Sequence, residues 1–357
     1  MSYKVSNNIV STIILVVLVL VINLFFGDLL QAKISTWHWV QKYNLVNPRV
    51  PLVINTREEI RSSDANDLVS AVSNQKNKIV AVVAITAGAR TLLGSAVAVT
   101  SDGVYLTSKL VVGDRSADSF VVVQSDGKQL QVKDLYFDPA TSLVLIKTTG
   151  AGLSVASLSD KRDVVAGERV MLLGAESSGE PYVLSSVLSG TELMLPGVMF
   201  SDVPSRTIPL QAVQGAVPGQ AVLDLSGALV GIWDGTKMVP GSVAEELLAS
   251  FINSGKVVRP KFGFYYRYIS KLEAEQVGTT AGLRLTIPQG DKSAVVAGSP
   301  ASLAGLVTGD VVTRIAGTSV EDIAVPEVLL SSAKPNAKLS ITVNMGGKSV
   351  DLTITPN

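Results

Sequence analysis

The chain of 357 residues has no cysteine and a single histidine, His38. The first absence excludes a disulfide framework, a thiolate nucleophile and cysteine-ligated zinc. The second means that any reaction needing an imidazole base must take it from position 38. Charge of one sign is also missing: 30 Lys+Arg balance 30 Asp+Glu, so the chain lacks the basic footprint of a nucleic-acid binder. No cluster of acidic or His side chains has metal-ligand spacing, and Gly94, Gly103 and Gly113 are spread through hairpins instead of forming a phosphate loop. No metal and no cofactor are expected. With 47% hydrophobic and 17% charged residues, the composition is that of a folded chain.

The longest apolar run is residues 9–26, IVSTIILVVLVLVINLFF. It carries no charge and is long enough to cross a bilayer. No small-x-small cleavage site follows it, which favours an uncleaved signal anchor over a cleaved leader. Residues 1–27 are therefore read as a cytoplasmic tail and transmembrane anchor of a single-pass cell-membrane protein with its globular part extracytoplasmic. Lys4, Lys33 and Lys42 do not settle the orientation, which is taken from the architecture. Residues 28–75 read as a juxtamembrane stalk, with Trp37, Trp39 and Tyr43 at headgroup level, His38 as a polar surface residue, and a short helix over 63–73.

From Ile79 onward short apolar or alternating runs are separated by turn signals such as Ser101-Asp102-Gly103 and Ser125-Asp126-Gly127, the pattern of an antiparallel barrel or sandwich. Ser242 and Glu245 form a capping-box pattern opening a helix over 243–254, with Gly255 at its end. From Lys256 the signals become mixed. Strand-like runs alternate with helices over 299–304 and 326–333, and Gly346-Gly347 makes the last hairpin, as in a small α+β domain.

Several stretches in this order, GSAVAVTSDGVYLTSKLVV from Gly94, DPATSLVLIKT from Asp138, LDLSGALVGI from Leu223 and AGSPASLAGLVTGDVVTRIAG from Ala297, resemble the HtrA family of trypsin-like serine proteases with a C-terminal PDZ domain. The resemblance covers about four-fifths of the chain. It implies a mainly β fold: a trypsin-like double β-barrel over residues 76–255, then a PDZ domain over 256–357. It also implies a Ser-His-Asp triad, and the three matching positions hold Leu110, Ser142 and Pro218. Leu110 cannot take a proton, Ser142 cannot stabilise an imidazolium with charge, and Pro218 lacks both hydroxyl and backbone N–H. Loss of one oxyanion donor alone typically costs ~100- to 1000-fold in rate. A Ser-Lys dyad through Lys109 is disfavoured, since Ser108 and Lys109 alternate along a strand. The expectation is a catalytically degenerate member, a pseudoprotease that is not an enzyme; the alternative is an active HtrA-type serine endopeptidase with displaced catalytic residues.

The resemblance further implies peptide binding at Arg259-Pro260-Lys261-Phe262-Gly263-Phe264. A PDZ domain adds a peptide C-terminus as an edge strand and holds its carboxylate on backbone N–H groups. Gly263 allows the close approach, Phe262 and Phe264 wall a pocket, Arg259 or Lys261 adds positive potential, and Leu329, Leu330 and Ala333 line the other side. The expected partners are peptide C-termini or unfolded proteins, the membrane, and further copies in a homotrimer or an active paralogue, in a scaffold, sensor or regulator role in envelope protein quality control. A groove plugged around Gly263 would favour a purely structural protein.

Overall fold

The computed structural model describes residues 15, 17, 64–86, 88–157, 165–191, 193, 194, 197–211, 213–323 and 325–357. Apart from Leu15 and Val17, the apolar run 9–26 lies outside the described residues, as do residues 28–63 with His38. Among the described residues no helix is long and apolar enough to cross a membrane.

Helix α1 (Asp64–Gln75) leads into six strands: β1 (Ile79–Thr86), β2 (Ala89–Ala98), β3 (Val104–Ser108), β4 (Phe120–Val123), β5 (Gln129–Phe137) and β6 (Leu143–Thr148). A four-residue helix α2 (Lys109–Val112) follows β3. The strands close into a barrel in the order β1-β2-β3-β6-β5-β4. The two-residue period of a strand assigns the faces. Val80, Val82, Ala96, Tyr105, Val122 and Ile146 fill one cluster, while Ile79, Ala81 and Val83 pack with Met171, Leu173 and Leu223 of the next sheet. Both faces of β1 are thus buried, which is why its sequence is almost wholly apolar.

The next strands are β7 (Arg169–Ala175), β8 (Pro181–Val187), β9 (Leu193–Met194), β10 (Met199–Phe200), β11 (Arg206–Thr207), β12 (Ala221–Asp224), β13 (Leu229–Trp233) and β14 (Met238–Pro240). Five of them form a sheet in the order β14-β13-β12-β7-β8, and β9 pairs with β11. The expected second barrel is therefore an open five-stranded sheet with a separate ribbon. Helix α3 (Gly241–Ser254) starts two residues before its expected first turn, capped by Pro240 without a side-chain bond. The Ser242 capping box does not form because the Ser242 hydroxyl accepts from Arg206 Nη1 (3.2 Å). Gly255 ends the helix in the left-handed conformation, as its position suggests.

The C-terminal unit contains β15 (Tyr265–Ile269), α4 (Lys271–Val277), β16 (Gly282–Leu285), α5 (Pro300–Leu303), β17 (Val311–Ile315), β18 (Thr318–Ser319), α6 (Glu327–Ser331), β19 (Leu339–Met345) and β20 (Lys348–Ile354). Its sheet runs β10-β15-β16-β17-β19-β20, with β18 on β17. The first strand of that order, β10, comes from the loop between β9 and β11, some 60 residues earlier in the chain.

Candidate functional site

Two regions carry the residues singled out above. In the first, β3 ends at Ser108 and its chain turns into α2, which leaves Leu110 59% exposed. Pro218 sits in the loop before β12. A methyl group on Gly235 would lie 2.7 Å from Leu110 Cδ1 and 3.2 Å from Pro218 Cγ, so the two side chains flank one glycine. Ser142 donates to Asp234 Oδ2 (2.7 Å), and the Ser108 hydroxyl donates to the Asp234 carbonyl (2.8 Å). The fold thus gathers Leu110, Ser142 and Pro218 around Asp234 and Gly235.

The electrostatics of this cleft centre on Asp234, which the sequence reading passed over. Burial pushes its pKa up, but hydrogen bonds from Ser142, Lys237 and Thr236 together outweigh burial and hold the carboxyl below its ordinary value. Asp234 and Ser142 line a pocket with Val203, Pro204, Arg206 and Lys237. The backbone donors of the Pro218 loop are engaged: Val217 N–H on Gln220 Oε1 (3.0 Å), Ala216 N–H on the Val213 carbonyl (3.4 Å) and Gly219 N–H on the Trp233 carbonyl (2.8 Å). Lys109 does not lie on an alternating strand as expected; it opens α2, and its ammonium donates to the Asp138 carbonyl (2.6 Å). Proteolytic chemistry here would have to use groups other than the side chains of Leu110 and Pro218. Among the described residues no three His, Cys, Asp or Glu side chains converge as a metal site.

The second region is the edge of β15. β10 pairs with it in antiparallel register, Met199 opposite Tyr266 and Phe200 opposite Tyr265. The pairing continues past β10: Ser201 N–H donates to the Phe264 carbonyl (2.9 Å), and Phe264 N–H donates to Ser201 Oγ (3.0 Å). One residue on, Asp202 Oδ1 accepts from both Phe262 N–H (2.7 Å) and Gly263 N–H (2.9 Å). Gly263 has φ +78, and a Cβ there would lie 2.3 Å from Ser299 Cβ. Only glycine opens the loop in this way. Phe262 and Phe264 are fully buried in one cluster with Met199, Tyr266 and Leu330, against which Leu329 and Ala333 pack.

The two basic residues expected at this loop are elsewhere. Lys261 is exposed, with its backbone paired to that of Asn357. Arg259 is buried and points away from the loop: its Nη2 meets Asp138 Oδ2 (2.7 Å) and its Nη1 meets Glu246 Oε2 (2.8 Å). Its charge is consumed by these carboxylates, and the helix-borne Glu246 was invisible to a motif reading. Glu246 Oε1 in turn accepts from Arg206 Nη2 (2.6 Å), and Arg206 Nε faces Glu327 Oε1 at 3.4 Å. Asp138, Arg259, Glu246, Arg206 and Glu327 form a ladder of alternating charge from the barrel to α6. Glu327 also accepts from Ser205 N–H (2.9 Å) and the Ser205 hydroxyl. Burial pushes the Glu327 carboxyl above its ordinary value, and the Ser205 and Arg206 contacts offset only part of that.

Residues 94–232 match the trypsin-like peptidase domain family, and with the closed barrel this sets the class: a trypsin-like peptidase fold followed by a smaller sheet unit. The sequence is 27% identical over 274 residues to a probable periplasmic serine endoprotease, DegP-like, of Pseudomonas putida strain W619, covering 74% of this chain and 55% of that protein. It is 28% identical over 270 residues to the DegP-like protein of Rhizobium meliloti strain 1021, covering 72% and 51%. Similar solved structures include an HtrA-type protease, AlgW, with decapeptide (TM-score 0.60, 21% identity, 81% of this chain and 98% of that one) and the serine endoprotease from Yersinia pestis (0.53, 21%, 81% and 97%). Over about three-quarters of its length the chain is similar to DegP-like serine endoproteases, and it shares its fold with HtrA-type proteases. It spans about half the length of the curated relatives it matches. The comparisons correct the expectation that the chain is not an enzyme: the relatives are named serine endoproteases and the matching family is a peptidase domain, so similarity points to a protease and nothing in it shows inactivity.

Proposed function

We propose that this chain is an HtrA-type, protease-like protein of the cell envelope whose C-terminal unit is a PDZ domain for peptide C-termini or unfolded segments. The reading includes anchoring by residues 9–26, a globular part outside the cytoplasm, and a sensor, scaffold or regulator role in protein quality control, as a homotrimer or with a related protease. One observation carries it. The N–H groups of Phe262 and Gly263 converge on a carboxylate while the adjoining edge of β15 takes up an antiparallel strand, the two contacts by which strand addition captures a peptide terminus. The groove is filled, the condition set above for a purely structural unit; what supports the ligand reading instead is that the filling segment is itself an extended strand with a carboxylate. Leu330 and Leu329 complete the apolar wall.

The names of the relatives favour a second reading, proteolysis, for which the hydrogen-bonded pair Ser142 and Asp234 offers a hydroxyl and a carboxylate among the polar groups of the cleft. Both readings are tested on the full-length chain in mild detergent. The first expects a labelled peptide with a free C-terminus to bind at concentrations up to millimolar and its C-terminal amide to bind at least 10-fold more weakly; equal binding of acid and amide overturns the carboxylate loop. The second expects cleavage of an unfolded protein that Ser142→Ala removes; cleavage unchanged in that variant places the chemistry on other groups.

A further inference from the structure

We propose that residues 199–202 are a tethered ligand of the groove, so that a peptide with a free C-terminus binds only by displacing Asp202. The inference rests on the reading of the C-terminal unit as a peptide-binding domain and adds how that site is regulated and what it accepts. Every other strand of its sheet lies between residues 265 and 354, whereas β10 arrives from a loop of the preceding unit. The segment makes each contact that an added strand makes. Side chains alternate along it: Met199 is 7% exposed within the cluster of Phe262, Phe264, Tyr266 and Leu330, Phe200 turns outward onto Tyr265 with ring centroids 4.6 Å apart, and Ser201 turns inward to accept from Phe264 N–H. The Asp202 side chain then supplies the carboxylate that a chain terminus would supply.

The flank is also held. Ser205 bonds both carboxylate oxygens of Glu327 on α6 through its N–H (3.0 and 2.9 Å), and its hydroxyl lies 3.0 Å from Met199 Sδ. A ligand tethered by a short loop has an effective concentration in the millimolar range, and occupancy in cis weakens an outside peptide by dividing its intrinsic dissociation constant by the open fraction. The segment also defines the ligand class: an extended peptide with an unbranched apolar side chain two residues before its end, a small last residue, and a free carboxylate.

The test uses the full-length chain in mild detergent and the fluorescein-labelled peptide Gly-Val-Met-Phe-Ser with a free C-terminus, read by anisotropy. Asp202→Ala removes the two charge-assisted hydrogen bonds that tie the segment to the groove, together with one from the Ser201 hydroxyl, and should tighten peptide binding by about 10- to 100-fold. Asp202→Asn, which keeps an oxygen for the same N–H groups, should give a smaller gain. Equal affinity in wild type and Asp202→Ala overturns the tethered ligand and leaves the groove standing. No binding to either chain up to millimolar peptide, with a folded circular-dichroism spectrum, overturns the groove on which the inference rests. Should Asp202→Ala not fold, hydrogen exchange in the wild type decides: saturating peptide should speed exchange at the Ser201 amide while Phe262 and Gly263 stay protected, and an unchanged Ser201 amide refutes displacement.

Discussion

Replacing Glu246 by Ala would remove the middle rung of the ladder between the barrel and the C-terminal unit. Glu246 is 20% exposed, while its partners Arg206 and Arg259 are 0% and 4% exposed, so its loss leaves two guanidinium groups largely shielded from solvent. Breaking a buried pair from one side typically costs about 3–5 kcal/mol. Arg259 retains Asp138 and Arg206 retains Glu327, which places the loss toward the lower end. Glu246→Gln keeps one acceptor oxygen but turns amide hydrogens toward guanidinium donors; with one charge-assisted bond lost it should cost about 2 kcal/mol. The comparison is Asp102→Ala, which breaks the pair with Lys147 at a site where the two side chains are 69% and 24% exposed and should cost under ~1 kcal/mol. At about 2–4 °C per kcal/mol for a domain of this order of size, a loss near ~3 kcal/mol means that Glu246→Ala should lower Tm by roughly 6–12 °C in a calorimetric scan, with Glu246→Gln between it and Asp102→Ala. A Glu246→Ala chain as stable as Asp102→Ala would refute the view that the ladder holds the two units.

Gly219 has φ +81, and a Cβ there would lie 1.9 Å from the Ser95 carbonyl oxygen and 2.4 Å from Thr107 Oγ1; Gly219→Ala should cost about 3 kcal/mol or more in urea unfolding, against about 1 kcal/mol for Gly290→Ala, which has φ +94 but nothing within 4 Å. Burial raises Glu327 above its ordinary value of 4.5, so its contribution is complete below that value and is lost as pH rises through the folded pKa. The Tm of the wild type minus that of Glu327→Gln should therefore fall as pH goes from 4.5 toward neutral, and a constant difference would contradict the assignment. In Ser142→Ala, Asp234 loses a donor that holds its carboxyl down, and an NMR titration should show its pKa rise; no change would mean that the Thr236 and Lys237 contacts suffice.

Much of the scaffold was readable because period and punctuation agree. The alternating runs of the barrel carry their own faces, Ser299 and Pro300 open α5 as cap and first residue, and Gly255 closes α3. Helix α4 was missed although Ser270 and Glu273 spell a capping signal, which the structure realises as Ser270 Oγ accepting from Glu273 N–H (3.2 Å). The neighbourhood of Leu110, Ser142 and Pro218 was legible through motif order alone. Asp234 was not, since nothing local marks a carboxylate that meets a serine 92 positions earlier. β10 was hidden for the same reason: two residues carry no period, and their partner strand lies in another unit. The misplacement of Arg259 follows from a motif naming a basic residue without its acids. Substitution at Gly263 or Arg259 therefore disturbs the fold as well as the groove, and Asp202 is the cleaner handle on binding.

The ladder has a hereditary consequence. Positions 138, 206, 246, 259 and 327 come from the turn before β6, strand β11, helix α3, the segment joining the two units and helix α6. A change of sign at any one leaves a buried charge facing its like, so viable descendants must alter neighbouring rungs together or not at all. The same constraint acts on recombination. A C-terminal unit grafted from a related protein would have to bring its own counterpart of Glu327, or meet an Arg206 with one of its acids missing.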